Sequence, residues 1–143
     1  ATAEAADWTW QNPLPQGNPL LGVWGSSGSD AFAVGESGTI LHYDGSAWSA
    51  MTSGTPKCLL GVWGSSGNNV VAVGDGGTIL HYDGSSWSAM SSGASRSLEA
   101  VWGASGSYVL AVGDYGAILS YGTILFASGF ESGGLDGWSE TAP

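Results

Sequence analysis

The nine residues LLGVWGSSG occupy positions 20–28 and recur, letter for letter, at positions 59–67. The match runs well past them. From Leu20 the chain reads LLGVWGSSGSDAFAVGESGTILHYDGSAWSAMTSGTPKC, and from Leu59 LLGVWGSSGNNVVAVGDGGTILHYDGSSWSAMSSGASRS. A third, shorter copy begins at Leu98: LEAVWGASGSYVLAVGDYGAILSYG. Leu20, Leu59 and Leu98 are 39 residues apart, and Trp24, Trp63 and Trp102 keep the same register, as do Val34, Val73 and Val112. A repeat of about 40 residues is the mark of a propeller, a solenoid or an array.

Within one unit, four short runs rich in Val, Ile, Tyr and Trp alternate with turn residues. The runs are GVWG, AFAVG or VVAVG, TILHY, and SAWSAM or its counterpart. β-branched and aromatic residues favour strands. Glu36-Ser37-Gly38 and Asp75-Gly76-Gly77 punctuate the second and third runs, and Asp44-Gly45 and Asp83-Gly84 the third and fourth. Asp-Gly supplies the positive φ that a tight hairpin requires. No window carries a helical period with caps. The expected fold class is all-β: four-stranded antiparallel sheets of propeller-blade size, three of them, probed by Trp24, Trp63 and Trp102 as inter-blade packing residues. The segments divide as 1–19, an N-terminal outer strand with a Pro/Gly link; 20–121, three blades at 20–58, 59–97 and 98–121; and 122–143, a degraded last strand and a tail.

The balance of 2 Lys and Arg against 12 Asp and Glu, a net charge of −10, argues against nucleic acid and anionic membrane surfaces, which require a basic face. No apolar run approaches the roughly 18 residues that span a bilayer, so no membrane insertion is expected. The lone cysteine, Cys58, forms no internal disulfide; it is either a small inert residue or a point of pairing between chains. The chain opens on Ala-Thr-Ala without Met, as signal-peptide cleavage leaves it, and a secreted, extracellular or cell-surface protein is expected.

The runs AVGESGTILHYDGSAW and AVGDGGTILHYDGSSW resemble bacterial propeller repeats related to the BNR and photosystem II assembly factor Ycf48-like families. The resemblance covers roughly residues 8 to 121 and implies the fold; propellers host many activities, so it implies no one function. The sialidase-type Asp box, Ser-x-Asp-x-Gly-x-Thr-Trp, is not matched: Asp44-Gly45-Ser46-Ala47-Trp48 is one residue shorter, and His42 replaces the leading hydroxyl residue. The tail FASGFESGGLDGWSE resembles a C-terminal segment of exported proteobacterial proteins, which implies export or surface display.

Closed propellers have typically about 4 to 8 blades. Three units therefore call for completion, and another chain is the expected source. Trp8 and Trp10 lie in a run, DWTWQNPLPQGN, that occupies the place of a fourth strand ahead of the first unit. At the other end Gly122 replaces the turn Asp, and Ile124 and Phe126 follow, with Phe126 in register with Trp48 and Trp87. Either the N-terminal strand of one chain completes the last blade of the next, which makes Trp8, Trp10, Ile124 and Phe126 the assembly residues, or residues 123 to 128 supply that strand within the chain. A head-to-tail contact closes into a ring or propagates as a filament, and two chains would give six blades.

Chemistry is sparse. His42 and His81 each precede an Asp by two residues, on one strand face, but one His per unit falls short of a three- or four-ligand metal set. Glu36, Asp75 and Asp114 recur in the second hairpin turn, where three acidic loops on one rim either bind a cation or a sugar or serve local hydrogen bonding. No nucleophile constellation or phosphate loop is present. Trp48 beside Asp44 and Trp87 beside Asp83 have the composition of a sugar-stacking site, or else they pack between blades. The expected protein is non-enzymatic, without metal or cofactor. It is a secreted structural subunit joined to copies of itself head to tail by strand complementation, as a filament or surface assembly. The alternative is a lectin-like, carbohydrate-binding propeller formed as a closed homo-oligomer, with glycans as partners.

Overall fold

The structure, a computed structural model, describes residues 6–11, 16–122 and, for the backbone alone, 138–140. It holds three four-stranded antiparallel sheets, each an up-and-down meander. Blade 1 comprises β1 (Leu20–Ser27), β2 (Asp30–Gly35), β3 (Ile40–Tyr43) and β4 (Trp48–Met51). Blade 2 comprises β5 (Leu59–Ser66), β6 (Asn69–Gly74), β7 (Thr78–Tyr82) and β8 (Trp87–Met90). Blade 3 comprises β9 (Leu98–Ser105), β10 (Tyr108–Gly113), β11 (Ile118–Gly122) and β12 (Trp138–Glu140). Among the described residues, no helix is long and apolar enough to cross a membrane.

The turn chemistry read from the sequence is the turn chemistry that forms. Asp44 Oδ1 accepts the backbone N–H of Ser46 at 2.8 Å and of Ala47 at 2.9 Å, and Asp83 repeats this with Ser85 and Ser86. Gly45 and Gly84 take φ 99° in these turns. Between the second and third strands of each blade lies one turn of 3-10 helix, Glu36–Gly38, Asp75–Gly77 and Asp114–Gly116. The N–H of its first acid reaches back to the chain entering the blade: Glu36 to the Pro19 carbonyl, Asp75 to Cys58 and Asp114 to Ser97, all at 3.0 Å.

The first strands of the blades run side by side, β1 against β5 and β5 against β9, and the sheets fan outward from them. Two apolar layers result. Phe32, Val34 and Ile40 of blade 1 meet Leu59, Val70 and Leu80 of blade 2, with Trp24, Met51 and Tyr82 packed at the margin. Val71, Val73 and Ile79 of blade 2 meet Leu98, Val109 and Leu119 of blade 3, with Trp63 and Met90 at the margin. Strand β6 is buried on both faces, which explains its unbroken run Val70-Val71-Ala72-Val73.

The last blade departs from expectation. The fourth strand of blade 3 is β12, which pairs Trp138 with Tyr121 as Trp48 pairs with Tyr43 and Trp87 with Tyr82. It does not come from the neighbouring run 123–128: Ile124 and Phe126 lie outside the described residues. The Trp-Ser pair of the tail thus fills the register assigned to Phe126, because the ladder is satisfied by a strand of the right chemistry whatever the loop length before it. Residues 6–11 have no regular structure, and Trp8 and Trp10 are fully exposed. The edge that this run was expected to complete in another chain is occupied by the protein's own β12.

Candidate functional site: the two open blade faces

Each joint between blades is built on Val-Trp-Gly. The Trp24 ring lies on Gly64 of the next blade, so closely that a methyl group on Gly64 would stand 2.7 Å from the ring's Cη2. Trp63 repeats the contact on Gly103, closer still. Only glycine leaves room for a ring against the backbone there. A second row of small residues lets the inner strands approach: a methyl on Gly22 would stand 3.3 Å from the Cα of Gly61, and one on Gly61 3.2 Å from the Cα of Ala100. A third contact lies at the hairpin tips, where Asp30 reaches over Gly67 and the Asn69 amide over Gly106. Every joint therefore has a donor side, with Trp, and an acceptor side, with Gly.

Among the described residues, the donor side of blade 3 and the acceptor side of blade 1 have no counterpart. On blade 3, Trp102 is 56% exposed and Val112 is 42% exposed, whereas Val34 and Val73 at the same register are fully buried. On blade 1, Val23 is 71% exposed and Leu20 40%, whereas Leu59 and Leu98 are fully buried. The nearest neighbours that a methyl on Gly25 would meet are all in its own blade, and around Gly28 there is nothing within 4 Å. The acceptor face of blade 1 holds a groove of about 500 Å³, lined by Leu20, Leu21, Val23, Ala33, Leu41 and Trp48, with Gln11 and Gln16 at its edge.

The other candidate residues are distributed as follows. Trp87, offered as a sugar platform, is only 8% exposed; its ring meets Phe32 edge-on with centroids 6.0 Å apart, and its Nε1 donates to the Met51 Sδ at 3.4 Å. It packs between blades, the other of the two readings. Trp48 lines the groove and is half-buried beside Tyr43, with ring centroids 5.2 Å apart. Asp44 and Asp83 each use Oδ1 to cap their own turn, and those N–H donors hold both carboxyls below the usual range. His42 does not partner Asp44; its Nε2 meets the Asp30 Oδ1 at 2.6 Å. Ser26 also donates to Asp30, and these two contacts lower the Asp30 pKa. His81 meets Asn69 instead, and Ser120 takes the place of His in blade 3. Cys58 is a half-buried free thiol.

On one rim, Glu99 is hydrogen-bonded to Asp114 and lies near Asp75, and these neighbouring carboxyls raise its pKa. Sequence reading named Asp75 and Asp114 but missed Glu99, which stands where the first two units have Leu. Among the described residues, no three of His, Cys, Asp and Glu converge in a metal-binding geometry. The donor and acceptor faces were also missed as a pair, although Val-Trp-Gly at 23–25, 62–64 and 101–103 carries both in adjacent letters.

No protein-family model matches the chain, and no curated protein matches it in sequence. Among solved structures it is similar to Ycf48 bound to a D1 peptide, with a TM-score of 0.63 and 21% identity, over 83% of this chain and 43% of that one. It is similar also to Ycf48 from Cyanidioschyzon merolae, with a TM-score of 0.66 and 20% identity, over 92% of this chain and 42% of that one. The chain thus spans less than half the length of either neighbour, and the likeness is one of fold: three blades of β-propeller type.

Proposed function

We propose that the protein is a non-enzymatic assembly module, exported from the cell, whose copies associate head to tail through the ends of the blade array. The observation that carries this is the mismatch between ends and interior. Residues fully buried at the two internal joints are exposed at the terminal ones, and the two exposed faces are of opposite kind, donor at blade 3 and acceptor at blade 1. An array of this type buries its faces only against further blades. Unlike faces give a heterologous contact, which closes as a ring or propagates as a filament. The test is the mass of the purified chain in solution across a concentration series, with electron microscopy of the same samples. Rings or fibres that dissociate on dilution support the reading, and a monomer at all concentrations refutes it.

Strand complementation is one route to such a joint. For it to operate, the Trp8–Trp10 run of a neighbour must displace the three-residue β12 from the edge of β11. Deleting residues 1–11 then abolishes association. If the joint is face to face, the same deletion leaves association intact or strengthens it, because Gln11 is removed from the groove edge.

A second reading is favoured by the groove. Its apolar lining beside an exposed inner strand suits an apolar stretch of another polypeptide, and one neighbour of the same fold is a Ycf48 bound to a D1 peptide. A carbohydrate-binding role has weaker support, since the buried Trp87 leaves no repeated aromatic platform. Loss of glycan-array binding in Trp48→Ala, with assembly unchanged, would restore it.

A further inference from the structure

We propose that the joint between copies reproduces the internal blade joint residue for residue, with Trp102 of one copy seated on Gly25 of the next. This rests on the head-to-tail reading above and names its contact surface.

The partner is written into the repeat. The same joint occurs twice within the chain, so the chemistry that fits the donor face of blade 3 is the acceptor face of a blade, and blade 1 presents one. Shifting the register by 39 residues assigns each contact. Trp24 on Gly64 and Trp63 on Gly103 become Trp102 on Gly25. Val34 and Val73, fully buried at the internal joints, become Val112, which fills the groove bounded by Leu20, Val23 and Leu41. Asp30 over Gly67 and Asn69 over Gly106 become Tyr108 over Gly28, where the space is open. At the tightest point the fit needs a small adjustment. Ala100 carries the methyl that Gly22 and Gly61 lack, and at those positions such a methyl stands 3.2–3.3 Å from the facing backbone. A shift of a few tenths of an ångström accommodates it.

Electrostatics opposes the contact without preventing it. Each copy carries a net charge of −10, and salt screens the repulsion between them. Association through an apolar joint therefore strengthens with ionic strength.

Two variants test the register, each chosen at an exposed position so that the isolated chain folds. Trp102→Ala removes the donor and keeps the acceptor. Val23→Asp spoils the acceptor and keeps the donor. Sedimentation at raised salt, with the far-ultraviolet spectrum as a check on folding, is expected to show each variant associating about tenfold or more weakly than the parent. Mixing the two is expected to restore a single joint, as a 1:1 pair that does not grow. If Trp102→Ala misfolds, Val112→Asp replaces it on the same face. A parent chain that stays monomeric overturns both this joint and the head-to-tail reading. A parent that assembles while both variants assemble equally well overturns the joint alone and leaves strand exchange. An effect from one variant only, with no rescue on mixing, also overturns it, since it indicates like faces in contact. A parent whose mass is restored only by a longer polypeptide with additional blades overturns the second copy as the occupant.

Discussion

The ring of Trp24 and the backbone of Gly64 form a lock in which neither partner has slack. A methyl on Gly64 would stand 2.7 Å from one ring carbon and 2.8 Å from another. It would also stand 3.0 Å from the carbonyl of Asn69, just as a methyl on Gly25 would from the carbonyl of Asp30. The local crowding is thus the same at Gly25 and Gly64, and the ring is the difference between them. Overpacking a close-packed contact costs about 1–3 kcal/mol. Urea unfolding of the monomer is therefore expected to show Gly64→Ala destabilised by about that much beyond Gly25→Ala. Equal losses would mean that the ring moves freely aside.

Trp87 and Trp48 occupy equivalent positions in their blades and differ in surroundings. Trp87 is covered by blade 1, whereas among the described residues no blade covers Trp48. Truncating a buried Trp costs about 3–5 kcal/mol. Trp87→Ala is expected to lose stability in that range, and Trp48→Ala to lose clearly less. Thermal unfolding of the two variants side by side checks this, and a matching loss would show that Trp48 is also enclosed.

These contrasts mark what the sequence made legible. The period, the four strands and the Asp-Gly turns follow from local chemistry repeated in register, and repetition makes each assignment three times over. The fourth strand of blade 3 escaped because a fixed period assigned its register to Phe126, while Trp138-Ser139 carries the same Trp-Ser pair as Trp48-Ser49 and Trp87-Ser88 at the end of a longer connection. The partner of His42 escaped for another reason. Strand alternation put Asp44 on the same face, but that carboxylate was already satisfied by turn N–H groups, and Asp30 lay across the hairpin. Exposure at Trp102 and Val23 depends on which blades are present, and identical letters cannot distinguish an internal joint from a terminal one.

Ser37 and Tyr115 sit at φ 59° in the 3-10 turns where blade 2 has Gly76. The left-handed region costs a non-glycine residue about 1–2 kcal/mol, partly offset by the extra freedom glycine has when unfolded. Ser37→Gly is expected to stabilise the chain by about 1 kcal/mol, seen as a higher urea midpoint. Tyr115→Gly gains the same relief but loses the Arg96 guanidinium, which lies 4.8 Å from the ring centroid. An exposed contact of this kind is worth about 0.5–1 kcal/mol, so the second change is expected to be nearly neutral. A larger gain from Tyr115→Gly than from Ser37→Gly would mean that the cation contributes nothing.

Asp30 and Glu99 give opposite pH dependences. Hydrogen bonds from Ser26 and His42 lower the Asp30 pKa, so its contribution to stability is present above the ordinary carboxylate value and is lost as pH falls through the lowered one. Glu99 shares a hydrogen bond with Asp114 near the charge of Asp75, and its pKa is raised. The folded state then binds the Glu99 proton more tightly than the unfolded state does. That preference stabilises fully below the ordinary value and is lost as pH rises through the raised one, leaving repulsion at neutral pH. Glu99→Gln is therefore expected to raise the unfolding midpoint at pH 7 and to lose that advantage in acid. Asp30→Asn is expected to lower the midpoint at pH 7 and to converge with the parent below the lowered pKa. A midpoint for Glu99→Gln that tracks the parent at every pH would show that solvent and salt screen the rim acids from one another.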